Sequence, residues 1–388
     1  MSNWQTNRFD EVADIGNGQV DPKKEPYCNF VHIGPENVES GTGRILNPEI
    51  AKDLGLISGK YEFDEKSIVY SKIRPNLNKL CTPNFSGLCS ADMYPIWPKE
   101  FISKSYLYYF MQSPMFVNEA VKCSMRTGLP KINRQDLNRI KINFPISLDT
   151  QKDIVNTLEQ WDTAIEKTEA LIDAKERQFQ WLKSKLLLRN PNSKHWKTET
   201  LGHYIEEKKD KSTVPDLHPC LTSSRRGMFL QDEYFSKQVA SKDNTGYKIM
   251  SRGDFTYRSM SDDGTFVFNK QDIVDKGLIS PAYGVFAPNK HMDADFLYYF
   301  LNSSVFKRAL AGEIQGGTRT ALKLNALKKL DIDIPELSEQ KAITNKLNTA
   351  KCEIDLLVKL ADQYRTQKRG LMQKLLSGEW HIKNKEAA

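Results

Sequence analysis

The sequence predicts an α+β protein: two similar globular heads joined by two long antiparallel coiled-coil helices, a pseudo-twofold internal repeat. Three observations carry that expectation. Residues 106–116, YLYYFMQSPMF, return at 296–306 as FLYYFLNSSVF, an offset of 190 positions in a chain of 388. A period so long marks a duplicated domain unit, not a solenoid repeat. Apolar residues then recur in steps of four and three over about five heptads in each half, the signature of a coiled-coil seam. Finally, the two halves match at their edges and diverge inside.

Composition sets the class. The chain is 39% hydrophobic and 27% charged, with a mean hydropathy of −0.56. No apolar run approaches the roughly 18–20 residues that span a bilayer, and MSNWQTNRFDEVADIG has no basic stretch followed by an apolar core. Cys28, Cys81, Cys89, Cys123, Cys220 and Cys352 form no C-x-x-C pair, so they read as reduced thiols. A cytoplasmic protein without membrane contact is expected. The net charge of +7 is compatible with nucleic acid without requiring it.

Taken in order, the first head is expected over 1–148. Ser67-Ile68-Val69-Tyr70 reads as strand, YLYYF as an amphipathic helix with its aromatics packed inward, and INFP as a closing strand. A helical spacer over 149–189 follows, with Asp149 at the N-cap position. Its pairing seam is Ile154, Leu158, Trp161, Ile165, Ile172, Phe179 and Leu182, broken by Thr168 and Lys175; Asn190-Pro191-Asn192 ends it. The second head, 190–337, repeats the frame: HWKTETL for NWQTNRF, GLIS for GLCS, IDIP for INFP. The second spacer and tail, 338–388, has Ser338 at the N-cap and a seam of Ile343, Leu347, Ile354, Leu357 and Leu371, broken by Lys368, with Gly378 as its stop. Helices of about 37 residues are about 55 Å long. Each could wrap its own head; the regular seam favours pairing with the other.

The chain lacks the motifs of catalysis. It has no phosphate loop, no G-x-G-x-x-G after a strand and no H-E-x-x-H. It has no Asn-Pro-Pro-Phe/Tyr or Asp-Pro-Pro-Tyr string of amino-methyltransferases, and its six histidines are scattered. Candidate nucleic-acid contacts are better defined. SKIRPNLNK (71–79) gathers Lys72, Arg74, Asn76, Asn78 and Lys79 around Pro75. Arginine suits guanine, asparagine adenine and lysine phosphate; an ordinary basic turn would look the same. YRSMSDDG in the second head offers Tyr257, Arg258 and Ser259. SMRTG (124–128) and GGTRT (316–320) occupy similar positions and bring Arg126 and Arg319, with small residues that allow close backbone approach. Arg225-Arg226, in LTSSRRGMF, adds a basic pair to the second head only.

Two variable heads, each followed by a long helix, resemble the specificity subunit of type I restriction–modification enzymes. The matching strings are IVYSKIRPNLNKL, GLCSADMYPIWP, IDIPELSEQKAI and the ending LMQKLLSGEW. The resemblance implies that each head is a target recognition domain for one half of a split, asymmetric sequence in double-stranded DNA. It implies helices that fix the spacing and dock two methyltransferase subunits, which restriction subunits join. It also implies no catalytic residue, metal or cofactor on this chain, with S-adenosylmethionine, ATP and Mg on the partner subunits. The alternatives are a specificity subunit of another multisubunit restriction system, or a two-headed coiled-coil scaffold that binds no DNA.

Overall fold

The computed structural model describes residues 3–124, 130–189, 195–235, 243–311 and 320–382. The chain forms two units, Met1–Glu169 with Lys359–Ala388, and Ala170–Val358. The two long helices, Leu148–Leu186 and Leu337–Leu376, are each divided between them. Each unit therefore holds one head, part of the first long helix and part of the second.

In the first unit, Trp4–Arg8 pairs antiparallel with Lys141–Pro145, and Trp4 stands opposite Pro145. The NWQTNRF and INFP strings are thus one ribbon that closes the head where the helix begins. A four-stranded antiparallel sheet follows the order Ala13–Ile15, Met93–Pro98, Ile68–Ser71, Leu80–Cys81. A mixed sheet orders Glu49–Ile50, Val31–Ile33, Gly87–Cys89 and Tyr61–Phe63, with Val31–Ile33 parallel to Gly87–Cys89. YLYYF lies in the helix Lys104–Gln112, whose first turn is capped by the Ser103 hydroxyl accepting from the Tyr106 N–H at 3.2 Å. Tyr106, Leu107, Tyr109 and Phe110 are buried, as the inward reading of these aromatics requires. Ile154 and Leu158 of the first long helix and Met372, Leu375 and Leu376 of the second complete this core. A fully buried leucine such as Leu158 or Leu376 contributes roughly 1.5–3 kcal/mol.

The second unit repeats the frame. Trp196–Thr200 pairs with Asp331–Pro335, Trp196 opposite Pro335. Ile205–Glu207, Tyr283–Pro288, Phe255–Arg258 and Asn269–Lys270 form the matching four-stranded sheet. FLYYF lies in the helix Ala294–Leu301, capped by the Asp293 carboxylate accepting from the Phe296 N–H at 2.9 Å. The difference lies in the mixed sheet. Here Lys248–Ser251 pairs with Lys276–Ile279, and Leu221–Ser224 forms a hairpin with Gly227–Leu230. A parallel bridge from Cys220 to Leu278 stands where the first head has a continuous parallel pair.

The long helices begin two residues earlier than the expected caps Asp149 and Ser338 imply. Ser147 caps the first, its hydroxyl accepting from the Thr150 N–H at 3.3 Å, and Asp149 sits inside the first turn. The second begins at Leu337, which places Ser338 within the helix. The repeated glutamine of each first turn is the structural anchor. Gln151 is fully buried; its Oε1 accepts from the Ser103 N–H at 2.8 Å, and its Nε2 donates to the carbonyls of Phe101 and Pro145 at 3.0 and 2.9 Å. Gln340 repeats the clamp, accepting from Asp293 at 2.8 Å and donating to His291 and Pro335 at 3.2 and 2.9 Å.

The helices pair antiparallel within each unit. In the first, the Trp161 and Tyr364 rings meet edge to face at 5.7 Å, and Asp162 pairs with Lys368. In the second, Lys175 pairs with Glu353 at 2.7 Å, and Ile172, Phe179 and Leu182 share a core with Ile343, Leu347 and Ile354. Ile165 is buried, while Leu357 and Leu371 are half-buried. The two lysine breaks are thus both ion-paired. Gly378, at φ +77, turns the chain out of the second helix, and Asn143 Nδ2 donates to the Ser377 carbonyl at 3.1 Å, tying that end to the first head.

Candidate nucleic-acid interface

The candidate loop of the first head is built on two left-handed residues. Arg74 and Asn78 have φ of +48 and +44 and bracket the short helix Pro75–Leu77. Pro75 fixes φ for that turn and is itself buried. The strain displays two side chains: Arg74 and Asn76 are exposed, and neither makes a side-chain hydrogen bond or ion pair among the described residues. The Arg74 backbone N–H donates to the Pro130 carbonyl at 2.7 Å, and the Ile132 N–H to the Lys72 carbonyl at 2.9 Å. The loop therefore leans on the chain that directly follows residues 125–129. Arg126 lies outside the described residues.

Three other candidate residues of this loop are engaged within the head. Lys72 is 8% exposed, with its ammonium 5.0 Å from the Tyr94 ring; burial, followed by the Lys131 charge, lowers its pKa. Asn78 turns inward, its Nδ2 donating to the Gln112 carbonyl at 3.2 Å, and the half-buried Lys79 donates one of its three N–H groups to the Pro35 carbonyl at 2.6 Å. These residues shape the loop from beneath. Arg134 was missed: its guanidinium lies 4.7 Å from the Tyr94 ring and 5.5 Å from Tyr61, and it donates to the Ile15 carbonyl at 3.1 Å. No spacing in the sequence links Arg134 to Tyr61 and Tyr94; the sheet brings them together.

The second head uses the same scaffold with other chemistry. The Leu322 N–H donates to the Ser259 carbonyl at 2.9 Å, repeating the Ile132–Lys72 bond, so Ser259 stands where Lys72 does. Arg319 falls outside the described residues. Tyr257 lies in the core: it is fully buried, packed on Phe266, Phe268 and Phe286, and its hydroxyl donates to the Leu322 carbonyl at 3.0 Å. It is the counterpart of Tyr70, equally buried in the first head. Aligning IVYSK with DFTYRS was the signal that would have assigned it to the core.

Arg258, next along the strand, is exposed and borders a cavity of about 360 Å³ that Ser224, Arg225, Tyr234, Ser261 and Tyr283 also line. The hairpin supplies the other cations. Arg225 pairs with Asp263 at 2.6 Å, and Arg226 lies 5.1 Å from the Tyr234 ring. The Arg225 guanidinium, with the Thr265 N–H and the Ser261 hydroxyl, holds the Asp263 carboxyl well below the usual carboxylate range. Asn269 Nδ2 fixes the hairpin base, donating to the Ser223 hydroxyl and the Ser224 carbonyl, each at 2.8 Å. The two heads thus present different donors from one frame: an Arg–Asn turn in one, an arginine hairpin beside a polar cavity in the other. Among the described residues no group of three His, Cys, Asp or Glu could hold a metal ion, and no helix is long and apolar enough to cross a membrane.

The duplicated frame, with different donor loops in its two halves, has counterparts among known proteins. The family model of the type I restriction modification DNA specificity domain matches residues 1–175 and 226–361, one match per half, and the chain belongs to that family. It is 41% identical over 159 residues to the type I restriction enzyme EcoDI specificity subunit of Escherichia coli, an alignment covering 41% of this chain and 35% of that protein. It is 23% identical over 328 residues to the MjaVIII specificity subunit of Methanocaldococcus jannaschii, covering 77% and 75%. In fold it is similar to a chain from a structure of type I R-M complex assembly and conformational transition (TM-score 0.67, 17% identity, 97% and 98% coverage). It is also similar to the HsdS subunit of Thermoanaerobacter tengcongensis (TM-score 0.52, 17% identity, 97% of each chain).

Proposed function

We propose that this chain is the non-catalytic DNA-recognition subunit of a type I restriction–modification complex. Each head reads one half of a bipartite, asymmetric duplex target. The long helices set the gap between the halves and dock two methyltransferase subunits, and restriction subunits join that core. S-adenosylmethionine, ATP and Mg act on those partners, and this chain binds none of them. The observation that carries the reading is the contrast between a conserved frame and changed donors: the Trp–Pro ribbon and the buried Gln clamp repeat in both heads, while the Arg74–Asn76 turn and the Arg225–Arg226 hairpin do not. Selection for two different half-sites on one spacer produces that pattern.

The test is co-expression with the neighbouring methyltransferase gene, followed by genome-wide sequencing that detects modified bases. A split motif, two short defined halves around a fixed unspecified gap, is expected. An active, copurifying methyltransferase that leaves no such motif would refute the reading in favour of a scaffold.

A further inference from the structure

In the first head the candidate DNA loop is wired to both long helices. Asn78 Nδ2 donates to the Gln112 carbonyl at 3.2 Å, and Gln112 Nε2 donates to the Tyr108 hydroxyl at 2.7 Å. That hydroxyl in turn donates to the Thr42 carbonyl at 3.1 Å. Thr42 belongs to a loop that touches the DNA loop directly: the Ser40 hydroxyl donates to the Leu77 carbonyl, and the Gly41 N–H approaches the Asn78 carbonyl at 3.4 Å. Two residues on, Arg44 pairs with Glu169 of the first long helix, and the other Glu169 oxygen accepts from Arg365 of the second at 2.5 Å.

The bracing loop is closely packed. Gly43 has φ +74, and a Cβ there would collide with the Tyr108 hydroxyl and the Leu80 carbonyl. Glu169 serves both arginines at once; partial burial pushes its pKa up, but the Arg44 and Arg365 guanidinium bonds outweigh this and hold it low. A second strut runs in parallel. The Tyr109 hydroxyl donates to Asp162 at 2.7 Å, and Asp162 pairs with Lys368, which sits 5.1 Å from the Tyr109 ring. The adjacent tyrosines of YLYYF thus reach the loop and the helix pair separately. In the second head, Tyr298 is 38% exposed, and its neighbour Tyr299 reaches Asn348 at 2.7 Å.

We propose that Tyr108 and Glu169 are positioning residues that fix the first head's DNA loop against the helix pair, so that the gap between half-sites is read as strictly as the half-sites themselves. This rests on the bipartite reading proposed above. An isolated surface ion pair is worth little; a carboxylate shared by two arginines and backed by a closely packed loop fixes geometry by acting together with its neighbours.

The full chain, assembled with its methyltransferase subunits, is assayed for methylation on duplexes with the native gap and with gaps one base pair longer and shorter. Tyr108→Phe and Glu169→Gln are each expected to cut the native-gap preference at least about threefold, leaving half-site sequence preference unchanged. The double variant is expected to lose no more than the worse single one, because both act in one chain. Arg44→Met, at an exposed position, repeats the test should Glu169→Gln fold poorly. Wild-type gap preference in the variants, or an equal loss of rate on every duplex, would overturn the proposal. A wild-type complex without gap preference would overturn it together with the bipartite reading, and is distinguished because it appears before any substitution.

Discussion

Arg74→Ala separates the proposed DNA role of the first head from its stability. Arg74 already occupies the left-handed region, which costs any non-glycine residue about 1–2 kcal/mol. Alanine meets the same cost and keeps the backbone bonds to Pro130 and Leu77. The side chain is exposed and unpaired among the described residues, so its removal should change folding stability by less than about 0.5 kcal/mol. A bidentate arginine–guanine contact contributes about 1–3 kcal/mol, or roughly 5- to 150-fold in affinity. The assay is fluorescence anisotropy of the assembled complex on the bipartite duplex, on the same duplex with either half-site scrambled, and across salt concentrations. A base contact predicts that the loss vanishes when the first half-site is scrambled. A phosphate contact predicts a uniform loss and a salt slope shallower by about 0.9. Arg74→Gly should lose the same affinity while gaining stability from relief of the left-handed strain. Affinity within twofold of wild type on every duplex would show that the turn is an ordinary basic surface.

The remaining predictions concern the frame. Gln151→Leu and Gln340→Leu each remove three hydrogen bonds of a buried side chain, so each should destabilise its unit by roughly 3–4.5 kcal/mol at about 1–1.5 per bond; denaturant titration showing under about 1 kcal/mol would refute the clamp. Tyr257→Phe strands the Leu322 carbonyl and should cost about 1–2 kcal/mol while DNA affinity stays unchanged; a selective loss of affinity would restore it to the interface. Ala350→Trp should be tolerated or stabilising by up to about 1 kcal/mol, because a groove of about 410 Å³ flanks it. A loss above about 1 kcal/mol, measured by the same titration, would show the groove too shallow for the ring.

Periodicity made the architecture legible. Strong apolar steps of four and three survive any detail of loop structure, so both long helices and most of their seam residues follow from the sequence. A glutamine recurs at each helix start, Gln151 and Gln340, and only the structure shows why: its carbonyl and amide satisfy the strand end and the helix cap at once. The candidate DNA loops were legible only as residue types. Backbone conformation decides which side chain leaves a turn, and two left-handed residues send Arg74 outward while Asn78 and Lys79 bond inward. Tyr257 failed for a related reason: a strand residue beside an arginine looks exposed until its neighbours across the sheet are known.

The register between the two helices carries the subtlest consequence. In the heads the repeat offset is 190, from Pro145 to Pro335, but from Gln151 to Gln340 it is 189, because ISLDTQ is one residue longer than ELSEQ. Counted from the glutamine clamps, Lys175 therefore corresponds to Tyr364, not to Lys368, and Trp161 corresponds to Ala350. The aromatic pair Trp161–Tyr364 that fills the helix interface of the first unit becomes Ala350 and Lys175 in the second, and both line the open groove there. Lys368 likewise corresponds to Phe179: one lies against Tyr109, the other meets Tyr299 edge to face at 6.1 Å. Charge and bulk have thus been exchanged between equivalent seam positions while the seam itself is kept. A homodimeric ancestor would have to satisfy both patterns with one sequence; a fused duplicate is free to pack the two ends of its spacer differently, as it is free to change the donors on its two heads.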